Sequence, residues 1–433
     1  MAFANGSLSH VHISEVAVAA LAPGELKSLM MVPANTEAYR AGSMFPDSGY
    51  AIDDAYGESA HWSPFLMAFL EDIKMRYGGD YGSAAAQREV AFLLGVASHG
   101  LGDQIYDTTL LARAFEVDGP EDSTKPADVY ADYFLIVDQA ASEGVEAWAP
   151  YSMLPRNFAS VDGHEVSEET LMRGMQRMQA VIDLQLLVAN SLYFDAWAAY
   201  PWLGTHIYNA SAVGSLPWTG ELVARYWNTL WRRLQGSIDL DRDLLVATHP
   251  EDGSVNCPVA SDERGALGKV ALVLGYGTSR GRLAERIIMR PVGGESIDVG
   301  LETAYDGEDR NLFFVIPDAD LAFDTEYEVL IAAGLETLSG DTTREVLEFS
   351  FRTRCAPDRL EDCPELPPGL VTGEIPSRPS RLQDGGGQDA GTVEASSGGG
   401  CGGCSLARLP DTEPPWIWGG LALALLLRRR AEN

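Results

Sequence analysis

The sequence predicts a multidomain chain: an all-α region over residues 5–240, an all-β sandwich over 244–354, a flexible linker over 355–400 and a tail over 401–433. Three observations carry this. Before residue 240, good helix formers and apolar side chains recur in long runs. After Asp243 the texture switches to short stretches of alternating β-branched and aromatic residues, separated by Gly, Asp and Pro. From Ala356 to Gly400, Pro, Gly, Ser and acids dominate, including Gly385-Gly-Gly and Ser396-Ser-Gly-Gly-Gly400.

Taken in order, the chain opens on Ala2-Phe3-Ala4, which has the small-x-small form of a signal-peptidase site. No apolar stretch precedes it, so it reads either as the stump of a secretion signal or as three ordinary small residues, and the tail below turns the expectation toward export. Ser63-Pro64 places an N-cap before Pro at the first helical position, starting a helix through about Lys74. Ala84–Ser98 is a long apolar-rich run of helix formers. Further helical patterns cover Ala127–Ser142, Ser167–Ala198 and Gly220–Leu234. Trp197, Trp202, Trp218, Trp227 and Trp231 crowd the last third of this helical region, a density that suits core packing, with a lipid-binding surface as the alternative.

The strands follow at Lys269–Leu274, Leu312–Ile316, Glu326–Ala332 and Val346–Arg352. Val270/Leu272/Leu274, Tyr327/Val329/Ile331 and Leu347/Phe349/Phe351 form period-two faces, and about 110 residues of this kind make a β-sandwich. The tail reads Cys401-Gly-Gly-Cys404, an apolar run Trp416–Leu427 and Arg428-Arg-Arg430. As a helix that run spans about 18 Å against a hydrocarbon core of about 30 Å, so it is a short apolar helix and a poor permanent span. The arginines suit the cytoplasmic side of a transient retention signal.

Lys plus Arg total 31 against 63 Asp plus Glu, for a formal charge of −32. No basic stripe of the kind that tracks a phosphate backbone is visible, which disfavours nucleic acid as a partner. All five cysteines come late: Cys257, Cys355, Cys363, Cys401 and Cys404. Cys355 and Cys363 flank a short acidic loop and suit a small disulfide in an oxidising compartment, with Cys257 to Cys355 as the other pairing.

The chemistry-bearing residues lie early. Of 7 histidines, His10, His61 and His99 stand beside carboxylates or turn signals. His99, Asp103 and Asp107 follow at helical spacing, and Asp128 and Asp132 repeat the four-residue step on a later helix, so each set shares a face. His61 precedes a helix entrance, and Asp47 falls in a Pro-Asp-Ser-Gly stretch that reads as a loop. Neutral imidazole and carboxylate are the ligands zinc takes where it does chemistry. Two helical faces and two loop ligands suffice to surround two or three ions. Of His10 and His12 only one is expected to point inward. His164, His206 and His249 have no partner at ligand spacing.

Four stretches, Ser9-His-Val-His-Ile13, Ala38 to Asp47, Ser59-Ala-His-Trp-Ser-Pro-Phe65 and Ala91 to Asp103, occur in an order that resembles the zinc-dependent phospholipase C family. The resemblance implies an all-helical fold around a trinuclear zinc cluster. His61, His99 and Asp103 would hold one zinc, with Asp47 at its edge as general base. Asp103 would bridge to a second ion, which His10 also binds, and a processed N-terminal amine can join there. In the third site Asp107 and Asp128 replace the family's histidines beside Asp132. An all-carboxylate set favours a harder divalent ion than zinc, or an empty site.

The strand region resembles bacterial immunoglobulin-like repeats through His249-Pro-Glu-Asp-Gly-Ser-Val, Leu321 to Val329, Ala333-Gly-Leu and Phe349-Ser-Phe-Arg-Thr, which implies a spacer or adhesion module. The Cys, apolar and Arg sequence of the tail resembles the sorting tails of myxobacterial surface proteins. That implies cleavage near Cys401 and Cys404 by a processing protease and anchoring at the cell surface or outer membrane. The combined expectation is an exported hydrolase of phospholipids or lipid-linked phosphodiesters, working at a membrane surface. The rivals are a single-strand nuclease of the same fold and a non-catalytic surface protein with a degenerate metal site.

Overall fold

The computed structural model describes residues 6–356, apart from 122–124, 140, 142–143, 162, 258 and 260–268. The linker, Cys363, the Cys401/Cys404 motif and the apolar tail lie outside the described residues. Among the described residues, no helix is long and apolar enough to cross a membrane.

The first part is helical: α1 (Ser7–Ala20), α2 (Glu25–Met30), α3 (Pro33–Tyr50), α4 (Tyr56–Ala60), α5 (Ser63–Tyr77) and α6 (Ala84–Tyr106). A π-helical turn, Asp107–Leu111, leads into α7 (Ala112–Asp118). Then come α8 (Ala127–Asp138), α9 (Leu154–Val161), α10 (Glu168–Ala199), α11 (Pro201–His206), α12 (Leu216–Leu234) and α13 (Leu240–Asp243). Ser167 caps α10 by accepting the Thr170 amide, as the polar residue before an apolar run should. Trp197, Trp202, Trp227 and Trp231 are buried in the helical core.

Two local readings are corrected. Asp47 is not in a loop: α3 runs straight through Pro46 and Asp47 to Tyr50. Packing overrides the turn signal there. A Cβ on Gly42 would lie 2.2 Å from the Phe92 carbonyl oxygen, and one on Gly95 would lie 2.1 Å from that of Tyr39. The backbones of α3 and α6 therefore touch, and the burial gained holds the proline inside the helix despite its missing amide. Ser63 is not the cap of α5, because Trp62 occupies that position. The Ser63 hydroxyl donates instead to Asn311 Oδ1 at 2.7 Å.

The second part begins at β1 (Leu245–His249) and continues through β2 (Ser254–Cys257), β3 (Val270–Ser279), the short α14 (Arg280–Ala284), β4 (Ile287–Pro291), β5 (Val299–Thr303), β6 (Asp309–Pro317), β7 (Glu326–Ile331) and β8 (Leu347–Thr353). They form two four-stranded sheets, β1-β3-β6-β5 and β2-β8-β7-β4. All pairs are antiparallel except β2 with β8. Leu272, Leu274, Phe313 and Val315 of one sheet meet Val329, Ile331, Phe349 and Phe351 of the other in a shared core. Cys257 is a buried free thiol while Cys355 is disulfide-bonded, which excludes their pairing with each other.

The period-two rule then explains how the two parts join. The alternate residues Ala271, Val273, Leu312 and Phe314 point away from the β core and are buried in the helical core. Both faces of β3 are thus covered, which is why its sequence reads as an unbroken apolar run. Each large side chain buried this way contributes about 1.5–3 kcal/mol, so the sheet is part of the helical body's packing and not a loose spacer.

Candidate metal centre

Four elements bring five of the predicted ligands together. His10 comes from α1, Asp47 from α3, His61 from the C-cap of α4, and His99 with Asp103 from one face of α6. All five are buried. His12, two positions on from His10 in the same helix, is only partly buried, as expected of the outward member. Gly100 permits the approach of α4, since a Cβ there would lie 2.2 Å from the His61 carbonyl oxygen.

The imidazoles are oriented from behind. His61 Nδ1 lies 2.6 Å from the Gly57 carbonyl and His99 Nδ1 lies 2.6 Å from that of Ser43. A carbonyl only accepts, so both rings carry their proton on Nδ1 and present bare Nε2 lone pairs forward. Those two Nε2 atoms face each other at 2.9 Å. Asp103 Oδ2 is 3.4 Å from His61 Nε2 and 3.3 Å from His99 Nε2, and Asp47 Oδ1 is 3.6 and 3.7 Å from the same atoms. His10 Nε2 approaches the other oxygen of Asp103 at 3.1 Å, and its ring stacks on His99 at 3.6 Å.

Electron pairs thus converge in a buried space, an arrangement that costs free energy unless a cation lies among them. Two ligand sets have donor atoms within 4.8 Å of one another, His10/Asp47/His99 and His61/His99/Asp103. The N/O donor set and the carbonyl support of both imidazoles fit zinc.

Neither set includes Asp107, Asp128 or Asp132. Asp107 begins the π-helical turn, where its carboxyl is pushed well up by burial and by Asp103, and its Oδ2 accepts the Tyr305 hydroxyl at 2.5 Å. Asp128 and Asp132 share a buried face of α8, as their spacing predicts. Asp132 is already engaged at the start of α1: Oδ2 accepts the Leu8 amide at 3.1 Å, and Oδ1 accepts the Ser9 amide and hydroxyl, both at 2.9 Å. Its position suits an anchor of the helix that carries His10. His164 bonds Asp54, and His206 stacks on Trp202, both away from the cluster.

Several rim residues escaped the sequence reading. Tyr50 stacks on His61 at 5.1 Å and donates to Glu58 Oε2 at 2.7 Å, while Trp62 Nε1 donates to Glu58 Oε1 at 2.8 Å. Against the effect of burial, these bonds hold the Glu58 carboxyl below its ordinary value. Tyr50 and Trp62 sit within or beside the motif stretches, so their neighbourhood was a usable signal. Tyr305 gave none.

Comparison with known proteins places this geometry. Residues 9–106 match the family described as zinc dependent phospholipase C. Phosphatidylinositol-glycan-specific phospholipase D from Bos taurus is 33% identical over 106 residues, covering 23% of this chain and 12% of that protein. The protein of the same name from Rattus norvegicus is 30% identical over 118 residues, covering 25% and 14%. The chain therefore spans only about an eighth of the length of these relatives. Among solved structures, the S-layer protein rSbsC(31-844) aligns over 76% of this chain and 46% of its own at 10% identity, with a TM-score of 0.19 that identifies no common fold. The segment that matches the zinc dependent phospholipase C family is thus the one that carries all five converging side chains, His10, Asp47, His61, His99 and Asp103.

Proposed function

We propose that the chain is a metal-dependent phosphodiester hydrolase acting on phospholipids or lipid-linked phosphodiesters, with zinc at the His/Asp cluster. One observation carries this reading: two imidazoles, fixed from behind by carbonyls, aim bare Nε2 atoms at each other and at two buried carboxylates. Ions bound there would supply Lewis acidity, lower the pKa of a bound water and clamp phosphodiester oxygens. His61, His99 and Asp103 would hold one, with His10 and the second oxygen of Asp103 turned toward another. Asp47, whose Oδ1 lies 3.6 and 3.7 Å from the two Nε2 atoms, would take a proton from the attacking water. Asp107 and Asp128 would hold a harder ion beside the leaving alkoxide.

We also infer export and surface anchoring through the Cys/apolar/Arg tail. The two-sheet arrangement supports an immunoglobulin-like reading of the β part. Sequencing the N-terminus of the natively produced protein tests export.

The central reading is tested with EDTA on a chromogenic choline phosphodiester, phosphatidylcholine and single-stranded DNA in parallel. Chelation should abolish hydrolysis of the first two, zinc should restore it, and DNA should be spared. Activity indifferent to chelator would sink the proposal.

A further inference from the structure

Tyr305 belongs to the β part, yet its hydroxyl donates to Asp107 on the helical side, 198 positions away in the chain. It stands in the 3-10 turn Ala304–Asp306 between β5 and β6, at φ 57° and ψ 29°. A bulky residue rarely adopts that left-handed conformation, and it persists only where its surroundings fix it.

The surroundings here are residues that flank the ligands. Trp62, next to His61, meets the Tyr305 ring edge-on at 5.8 Å. The Arg310 guanidinium lies over the same indole, 3.6 Å from the ring centroid. It occupies space that a Gly307 side chain would claim, since a Cβ there would come within 2.0 Å. Gln104, next to Asp103, accepts the Asn311 and Leu312 amides through Oε1 at 2.9 and 3.1 Å. Ser63, two residues after His61, donates to the Asn311 side chain. So fastened, Tyr305 is still 48% exposed as a residue while its hydroxyl reaches Asp107 on the helical side. A side chain held in strain, half in solvent and half on a candidate ligand, is placed to set that ligand's direction.

We propose that the turn 304–310 of the β part forms one wall of the metal site, and that Tyr305 is a positioning residue that orients Asp107. This rests on the phosphodiesterase reading. It makes the β part a component of the site, in which the aromatic rings of Tyr50, Trp62 and Tyr305 flank the approach.

The test uses the full chain with Tyr305→Phe, Asp107→Asn and the double variant. Two readouts are taken, steady-state kinetics on the choline phosphodiester and calorimetric titration of chelator-stripped protein with Mn²⁺. Tyr305→Phe keeps the ring, so its melting should match the parent chain. We expect about a tenfold fall in kcat with KM little changed, and a similar weakening of the weakest Mn²⁺ site. Asp107→Asn should do at least as much, and the double variant should lose no more than Asp107→Asn alone. Tyr305→Phe behaving like the parent in both readouts, or losses that multiply in the double variant, would overturn the proposal. If the parent chain hydrolyses nothing, the phosphodiesterase reading fails by itself. The Mn²⁺ titration then still decides, with joint weakening in Tyr305→Phe and Asp107→Asn in favour and an unchanged Tyr305→Phe against.

Discussion

Asp132 accepts both the main-chain amide and the hydroxyl of Ser9 at 2.9 Å, and the next residue along that helix is His10. One carboxylate on α8 therefore fixes the start and rotation of α1. Replacing Asp132 with Ala should cost about 1–2 kcal/mol, as for the loss of a buried helix cap. It should also lower zinc content by releasing His10. Thermal melting with elemental analysis checks both, and an unchanged zinc content would show that α1 needs no such anchor.

The same group should leave a signature in pH. Burial pushes the Asp132 carboxyl up to about 6, outweighing the bonds from Leu8 and Ser9. A folded state that binds a proton more tightly than the unfolded chain is favoured at low pH. That contribution is complete below the ordinary aspartate value of 3.8 and is lost as pH rises through about 6. Metal-free protein should lose on the order of 3 kcal/mol of stability across this window, with Asp107 acting in the same sense. Urea titrations at several pH values should show the slope shrinking in Asp132→Asn, and equal slopes would contradict the assignment.

His99 lies at the centre of the cluster, within reach of Asp47, His61, His10 and Asp103. His99→Ala should reduce kcat/KM at least about a hundredfold, more than the 10–100-fold typical of residues that only support a ligand. Bound zinc should fall in parallel, as read by elemental analysis. Full zinc occupancy in this variant would mean that the ions sit elsewhere.

The contact between α3 and α6 tolerates no side chain at Gly95. Gly95→Ala forces two backbones apart and should destabilise by about 1–3 kcal/mol, against the usual helical benefit of alanine. Because α3 carries Asp47 and α6 carries His99 and Asp103, zinc affinity should drop with it. Denaturant unfolding and zinc competition with a chromogenic chelator measure the two effects.

The long helices were legible because their periodicity runs for many turns, and the ligand set because three histidines stood at recognisable places. Asp47 was misplaced because Pro-Asp-Ser-Gly is a turn signal locally, and only the glycine-mediated packing of α3 on α6 cancels it. Ser63 looked like a cap because its true partner, Asn311, is 248 positions away. The docking of the β sheet was half visible in the two-sided apolar run of β3. Tyr305 carries no motif, and its meaning comes only from the strand register that delivers it to Asp107.

The π-helical turn holds one residue more than ordinary α winding would need there. Deleting a single amino acid within it should regularise the coil with α7 kept on its present face, whereas one further inserted residue would turn α7 through about 100°. Asp118, at the far end of α7, would then lose the Trp202 and Leu203 amides it accepts at 3.0–3.1 Å. Lengthening the chain at this spot should therefore loosen α11 as well, while shortening it by one residue should leave the Asp118 bonds in place.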